Sequence, residues 1–297
     1  MIALHRTLRF LQQITILLAG FTSAETALAD SVPGGIHLQP LQPDTAAVRY
    51  QNRPVLIVNG VAFVGIPLSA APGTHKLRIE RRDGSTEIRH FEVQDRQYTE
   101  QHLTIENQRM VDPHPEDLER IRSESALMSA QYLRFTPSPA QLTPFLQPVA
   151  GPLSSSFGRR RVLNGQPRNP HSGLDIAADT GTPILAPAPG TVSLTGDFYF
   201  NGNSVFLDHG GGLITMYCHL SAIEVADGQT VARGNRLGRV GATGRVTGPH
   251  LHWSVSLNGN RVDPVLFMSL FAETPAPRGP EGNLETAPLS APSDGGK

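Results

Sequence analysis

Four histidines and one aspartate, split over three short stretches in the carboxy-terminal half, are the residues best equipped for chemistry. They occur as His171-Ser-Gly-Leu-Asp175, Tyr217-Cys218-His219-Leu220 and Gly248-Pro249-His250-Leu251-His252. Together they offer two imidazoles and a carboxylate to a metal and leave two imidazoles to handle protons. A hydrolytic zinc site uses that inventory, with three protein ligands and one position open to water.

Spacing supports the grouping. Side chains two apart on a strand share a face, so His250 and His252 project together if the segment is extended. Polar His252, Ser254 and Ser256 alternate with apolar Leu251, Trp253, Val255 and Leu257, the pattern of a half-buried strand whose apolar side meets a core. His171 and Asp175 are four apart and would share a face of an extended segment. Pro170 and Gly173 argue against a helix there.

In motif order and in the flanking pieces, the chain resembles the lysostaphin-type (M23) zinc metallopeptidases, which cut peptide bonds in bacterial peptidoglycan. The likeness covers residues 148–271. The flanks are Ser156-Phe157-Gly158-Arg159, Gly181-Thr182-Pro183-Ile184 with Ala186, and Gly241-Ala242-Thr243-Gly244. The resemblance implies an antiparallel sheet with a groove, one Zn²⁺ per chain held by His171, Asp175 and His252, and His219 and His250 as catalytic residues beside a metal-activated water. His250 is favoured as the base. It also implies peptidoglycan stem peptides as substrate, most simply D-alanyl–diaminopimelate cross-links. Two alternatives remain. Some relatives have lost ligands and only activate cell-wall amidases, whereas every ligand is present here; a secreted bacteriolytic enzyme would share the chemistry and differ in destination.

At 297 residues and a formal net charge of −1, the chain is long enough for two domains and has no basic footprint for nucleic acid. Residues 1–29 read as an export signal, with His5, Arg6 and Arg9 ahead of an apolar stretch over 10–21 and Ala27-Leu28-Ala29 as the cleavage site. This predicts a periplasmic or secreted protein with no membrane span after cleavage. Cys218 is the single cysteine, so no intramolecular disulfide can form. On a strand it would face away from its neighbour His219 and pack as a core thiol.

The elements that must position the site are read as mainly β. Residues 30–110 resemble a small β-sandwich: Asn59-Gly60 and Asp83-Gly84 mark hairpin turns, and residues 98–105 are a candidate last strand. Residues 111–147 hold a connecting helix, over 116–134 behind Pro115, and a linker around Thr136-Pro137-Ser138-Pro139. The peptidase-like domain spans 148–271, followed by a tail at 272–297 rich in Pro, Gly, Ala and Ser. Residues 160–169 and the stretch with Phe198, Tyr199 and Asn201 are read as groove-edge loops. His209, in Asp208-His209-Gly210, reads as turn chemistry outside the site. An intramolecular contact between the amino-terminal and peptidase-like domains is a further expectation.

Overall fold

Short alternating runs closed by glycine turns produce strands along most of the chain. The computed structural model describes residues 31–137 and 142–271. The segments read as export signal and tail, and part of the linker, lie outside the described residues. No helix among the described residues is long and apolar enough to cross a membrane.

Two small antiparallel sheets form the amino-terminal unit. One joins Ile36–Pro40, Val61–Gly65 and Leu56–Val58; the other joins Arg53–Pro54, Thr45–Tyr50, Gly73–Arg81 and Thr86–Val93. Asn59 and Gly60, with φ of 50° and 74°, close the first hairpin through two successive left-handed residues, which is why that dipeptide signals the turn. Val64 and Ile66 from one side and Val48, Leu77, Ile79 and Phe91 from the other share one buried cluster, so the unit is sandwich-like. It does not keep its core to itself. Ile36 and Leu56 are buried within the main cluster of the carboxy-terminal sheet, and Asn258 bridges the backbone of Gly65, accepting from its N–H at 2.7 Å and donating to its carbonyl at 3.0 Å.

The candidate last strand of the sandwich has another partner. Glu100–Leu103 runs parallel to Arg160–Leu163, with Arg160 opposite Glu100 and Leu163 opposite Leu103. The stretch expected as a loop at 160–169 is a hairpin, Arg160–Leu163 with Gln166–Arg168, turned by Asn164-Gly165. One edge of Arg160–Leu163 is taken by its own hairpin partner and the other is open. Glu100–Leu103 fills it, because Leu103, Ile105, Val111 and Leu163 then bury together.

The large sheet runs in the order Thr230–Val231, Gly190–Phe198, Gly202–Asp208, Ile214–Ile223, His250–Leu257, Leu174–Ala177 and Leu153–Ser155. Each of these pairings is antiparallel. One face carries the core: Leu174, Ile176, Val205, Tyr217, Leu251, Trp253 and Val255 are all fully buried. The other face was expected to be solvated, yet Ser254 and Ser256 are buried at 1% and 0% exposure. Its cover is the helix Leu118–Tyr132, whose Tyr132 packs on Phe206, Ile214, Met216 and Cys218. A 3₁₀ turn, Pro115–Asp117, leads into this helix. The helix is fixed to the sheet where Arg120 donates to the Asp197 carbonyl and Glu124 accepts from the Tyr199 N–H. Tyr199 is therefore not a groove-edge side chain: it is buried, and its hydroxyl donates to Asp117 or the Arg109 carbonyl.

Candidate metal centre

Register places two of the site residues, Asp175 and His252, in one row. Across four neighbouring strands, Ser155, Asp175, His252 and Cys218 are successive Cα partners, and residues directly opposite each other share a face. His171 is not on the strand with Asp175. It lies just before Leu174–Ala177, turned in by Gly173. A Cβ at Gly173 would stand 2.6 Å from the His252 ring and 2.7 Å from Ser254 Oγ, so the spacer must be glycine for the two imidazoles to meet.

Cys218 is buried and carries a thiol pushed up to about 12 by desolvation, as a packed residue should. The expected reason was incomplete, because Cys218 lies on the same sheet face as His252, beneath Tyr132. His219 leaves the alternation instead. Its φ of +68° is left-handed, a conformation uncommon for a residue with a Cβ. The backbone is held there by the His219 N–H donating to the Asn201 carbonyl at 2.9 Å. This brings the His219 ring to 4.9 Å from that of His250 and 6.0 Å from that of His252.

Three ligand atoms converge. His171 Nε2 is 3.0 Å from Asp175 Oδ1 and 3.0 Å from His252 Nδ1, and His252 Nδ1 is 2.8 Å from Asp175 Oδ1. Outer hydrogen bonds fix which nitrogens carry protons. His171 Nδ1 is 2.8 Å from the Ser156 carbonyl, which can only accept, so Nδ1 donates and Nε2 is bare in the neutral ring. The Ser254 hydroxyl donates to the Ser172 carbonyl at 3.0 Å and so accepts from His252 Nε2 at 3.1 Å, leaving His252 Nδ1 bare. Two bare nitrogens and a carboxylate oxygen thus face one another with no proton between them, an arrangement that repels unless a cation sits among them. Tetrahedral ligands about 2.0–2.1 Å from one zinc stand roughly 3.3 Å apart, close to the observed triangle. The donor set of two imidazoles and one carboxylate suits zinc, and the tethered outer nitrogens are the usual support for metal-binding histidines.

Burial alone would raise the Asp175 carboxyl, but the adjoining His171 and His252 imidazoles outweigh it and hold the group far below the usual carboxylate range. The acid is ionised. Desolvation pushes His252 down to about 4, against the pull of Asp175, and pushes His219 down to about 3, with His250 and His252 adding to the effect. His219 Nδ1 donates to the Thr243 carbonyl at 2.8 Å and His250 Nδ1 to the Gly248 carbonyl at 2.8 Å. Each keeps a bare Nε2, and that of His250 is 3.8 Å from Asp175 Oδ1.

All five residues singled out from the sequence meet at this site. His209 does not join them: it donates to the Pro189 carbonyl and pairs with Thr215 on another part of the sheet. Sequence reasoning missed Arg161 and Arg245. Arg161 Nη2 is 3.1 Å from Asp175 Oδ2, and both guanidiniums line the two cavities, of about 140 and 310 Å³, that flank the histidines. The run Arg159-Arg160-Arg161 was visible, but nothing local marks its third member as the one that turns inward.

Comparison with known proteins agrees with this geometry. The sequence profile described as Peptidase family M23 matches residues 169–264, and that of the Peptidase family M23 N-terminal domain matches residues 29–96. A crystal structure from Pseudomonas aeruginosa assigned to peptidase M23 superposes with a TM-score of 0.69 at 46% identity, covering 82% of this chain and 97% of that one. The peptidoglycan DD-endopeptidase ShyA of Vibrio cholerae is 44% identical over 112 residues, 37% of this chain. The DD-carboxypeptidase/endopeptidase Mpg of Neisseria meningitidis is 43% identical over 113 residues, 38% of this chain. The matched regions span 26% of each of these two relatives.

Proposed function

This chain belongs to peptidase family M23, and we propose that it is a zinc-dependent endopeptidase that hydrolyses peptide cross-links of bacterial peptidoglycan. The observation that carries the reading is the triangle of bare ligand atoms on His171, Asp175 and His252 beside two imidazoles whose Nε2 atoms are free. His171, Asp175 and His252 would hold one zinc per chain. When bound, zinc would act as a Lewis acid and make water nucleophilic at neutral pH.

The chain's own residues then have separate tasks. His250 is the base: its Nε2 takes the proton from the attacking water, and the proton passes to the leaving amine. His219 accepts a hydrogen bond at Nε2 and orients the water, its ring held by the Thr243 carbonyl. Arg161 takes the second oxygen of Asp175 and so fixes the carboxylate plane. The names of ShyA and Mpg favour a bond between two D-centres, the D-alanyl–diaminopimelate link, over a glycine bridge, and a periplasmic location suits that substrate.

Zinc content and digestion of purified cross-linked peptidoglycan, with chelation and zinc re-addition, test the proposal. About one zinc per chain and metal-dependent release of cleaved stem peptides are expected. Bound zinc with no cleavage, but stimulation of an added cell-wall amidase, would replace the enzyme by an activator.

A further inference from the structure

Beside the metal centre the positive charge is out of proportion. Arg161, Arg168 and Arg245 crowd together, close enough that burial and the other two guanidiniums push Arg245 down to about 10. Among the described residues the one acid lining the two flanking cavities is Asp175, and it is already shared between the ligand triangle and Arg161. Arg168 spends its guanidinium on the Val111 and Pro167 carbonyls and Gln166. Among the described residues Arg245 has no acidic partner: it lies 4.3 Å over the Phe200 ring and reaches the Met110 carbonyl at 3.4 Å. Arg161 Nε is buried with no hydrogen-bond partner among the described residues. A buried donor without an acceptor is costly, and like charges are brought together at a further cost. Both costs fall if an anion binds there.

We infer that Arg161 and Arg245 form a carboxylate-binding site for the substrate, next to the leaving amine of the bond that is cut. This rests on the peptidase reading above and sharpens it. In a D-alanyl–diaminopimelate link, the carbon that bears the leaving nitrogen also bears a free carboxylate. A glycine bridge has no carboxylate at that position. Both arginines line both cavities, as does His219, while His250 lines one and His252 the other. A substrate laid across the histidines therefore passes the guanidiniums, and an anion one carbon from the leaving nitrogen falls within their reach. A guanidinium fork suits a carboxylate, and Phe200 fixes the plane of Arg245 from behind.

The test compares two non-cleavable mimics of the link, in which the scissile amide is replaced by a methylene amine: one with the free carboxylate and one with that group as carboxamide. Binding to the full zinc-loaded chain is measured by calorimetry for wild type, Arg245→Gln and Arg245→Lys, with thermal melting and zinc content checked for each. A charge-assisted pair predicts a wild-type preference for the carboxylate of about tenfold or more. Arg245→Gln should bring that preference close to one by weakening the carboxylate mimic alone, and Arg245→Lys should restore part of it. Equal binding of the two mimics by wild type, or equal weakening of both in Arg245→Gln, overturns the inference. If Arg245→Gln does not fold, retention of full preference by Arg245→Lys at raised salt overturns it, because a fork contact should not survive both changes. Failure of wild type to cleave the natural link would sink the peptidase proposal and would leave this binding result to be judged separately.

Discussion

Two histidine environments along the same sheet, one buried at His252 and one half-buried at His209, behave in opposite ways. His252 and His209 are both pushed down to about 4, in each case mainly by burial. His209 donates from Nδ1 to the Pro189 carbonyl at 2.6 Å and is paired at Nε2 with the Thr215 hydroxyl at 2.8 Å. Both nitrogens are satisfied and nothing is left over. At His252, one nitrogen is satisfied by Ser254 and the other is aimed bare at His171 and Asp175. A perturbed imidazole is therefore not by itself a site. What marks the candidate metal centre is a set of lone pairs that the protein has arranged to face one another, each kept free by an outer hydrogen bond.

The strongest way to break this contrast is to remove a ligand. His171→Ala, Asp175→Ala or His252→Ala should lose zinc and peptidase activity together, with activity falling by about 10⁴-fold or more, the scale of loss in disabled catalytic sites. His209→Ala should keep both. Zinc stoichiometry read alongside turnover checks this, and a His209 variant that shed zinc would erase the distinction.

His219→Ala and His250→Ala sharpen it within the site. Each should retain close to one zinc and lose roughly 10²–10⁴ in rate, the range of a positioned proton carrier. Loss of metal in either would mean that the ligands are misassigned. A smaller effect is expected one shell out. Ser254→Ala removes the acceptor that keeps His252 Nδ1 bare and should weaken zinc by about 10–100-fold, measured by competition with a chelator.

The smallest effect separates the two histidines by pH. His209 has a folded value of about 4 against 6.5 for an ordinary imidazole, so the unfolded chain binds the proton more readily. Its contribution to stability is complete above pH 6.5 and is lost as the pH falls from there towards 4. His209→Gln should flatten that part of the stability profile by about 1–2 kcal/mol, as read from denaturant midpoints at pH 7 and pH 4.5. An unchanged slope would show that burial does not hold the ring neutral.

Much was legible because it depends on short-range rules. The Asn59-Gly60 turn, the strand His250–Leu257 with its core face, the helix behind Pro115 and the five candidate residues that the fold brings together all lie in patterns a few residues long. Three of the errors share one cause. Residues 98–105, Ser254, Ser256 and Tyr199 look like a sandwich strand, a solvated face and a groove edge when read locally. Each is decided by a partner far away in the chain: the open edge of Arg160–Leu163, the helix Leu118–Tyr132, and Asp117.

The sequence by itself determined which residue types could bind a metal and move protons, and that a β framework would carry them, because residue chemistry and strand alternation are properties of neighbours. Tertiary structure alone decided the rest. The left-handed backbone at His219, held by Asn201, turns its ring to the side of the sheet that Cys218 already occupies. Gly173 leaves the space in which His171 and His252 meet. Arg161 and Arg245, far apart in the chain, come to the same cavities beside one shared carboxylate. Their chemistry depends on distances between lone pairs and charges, and those are set only when the strands have paired.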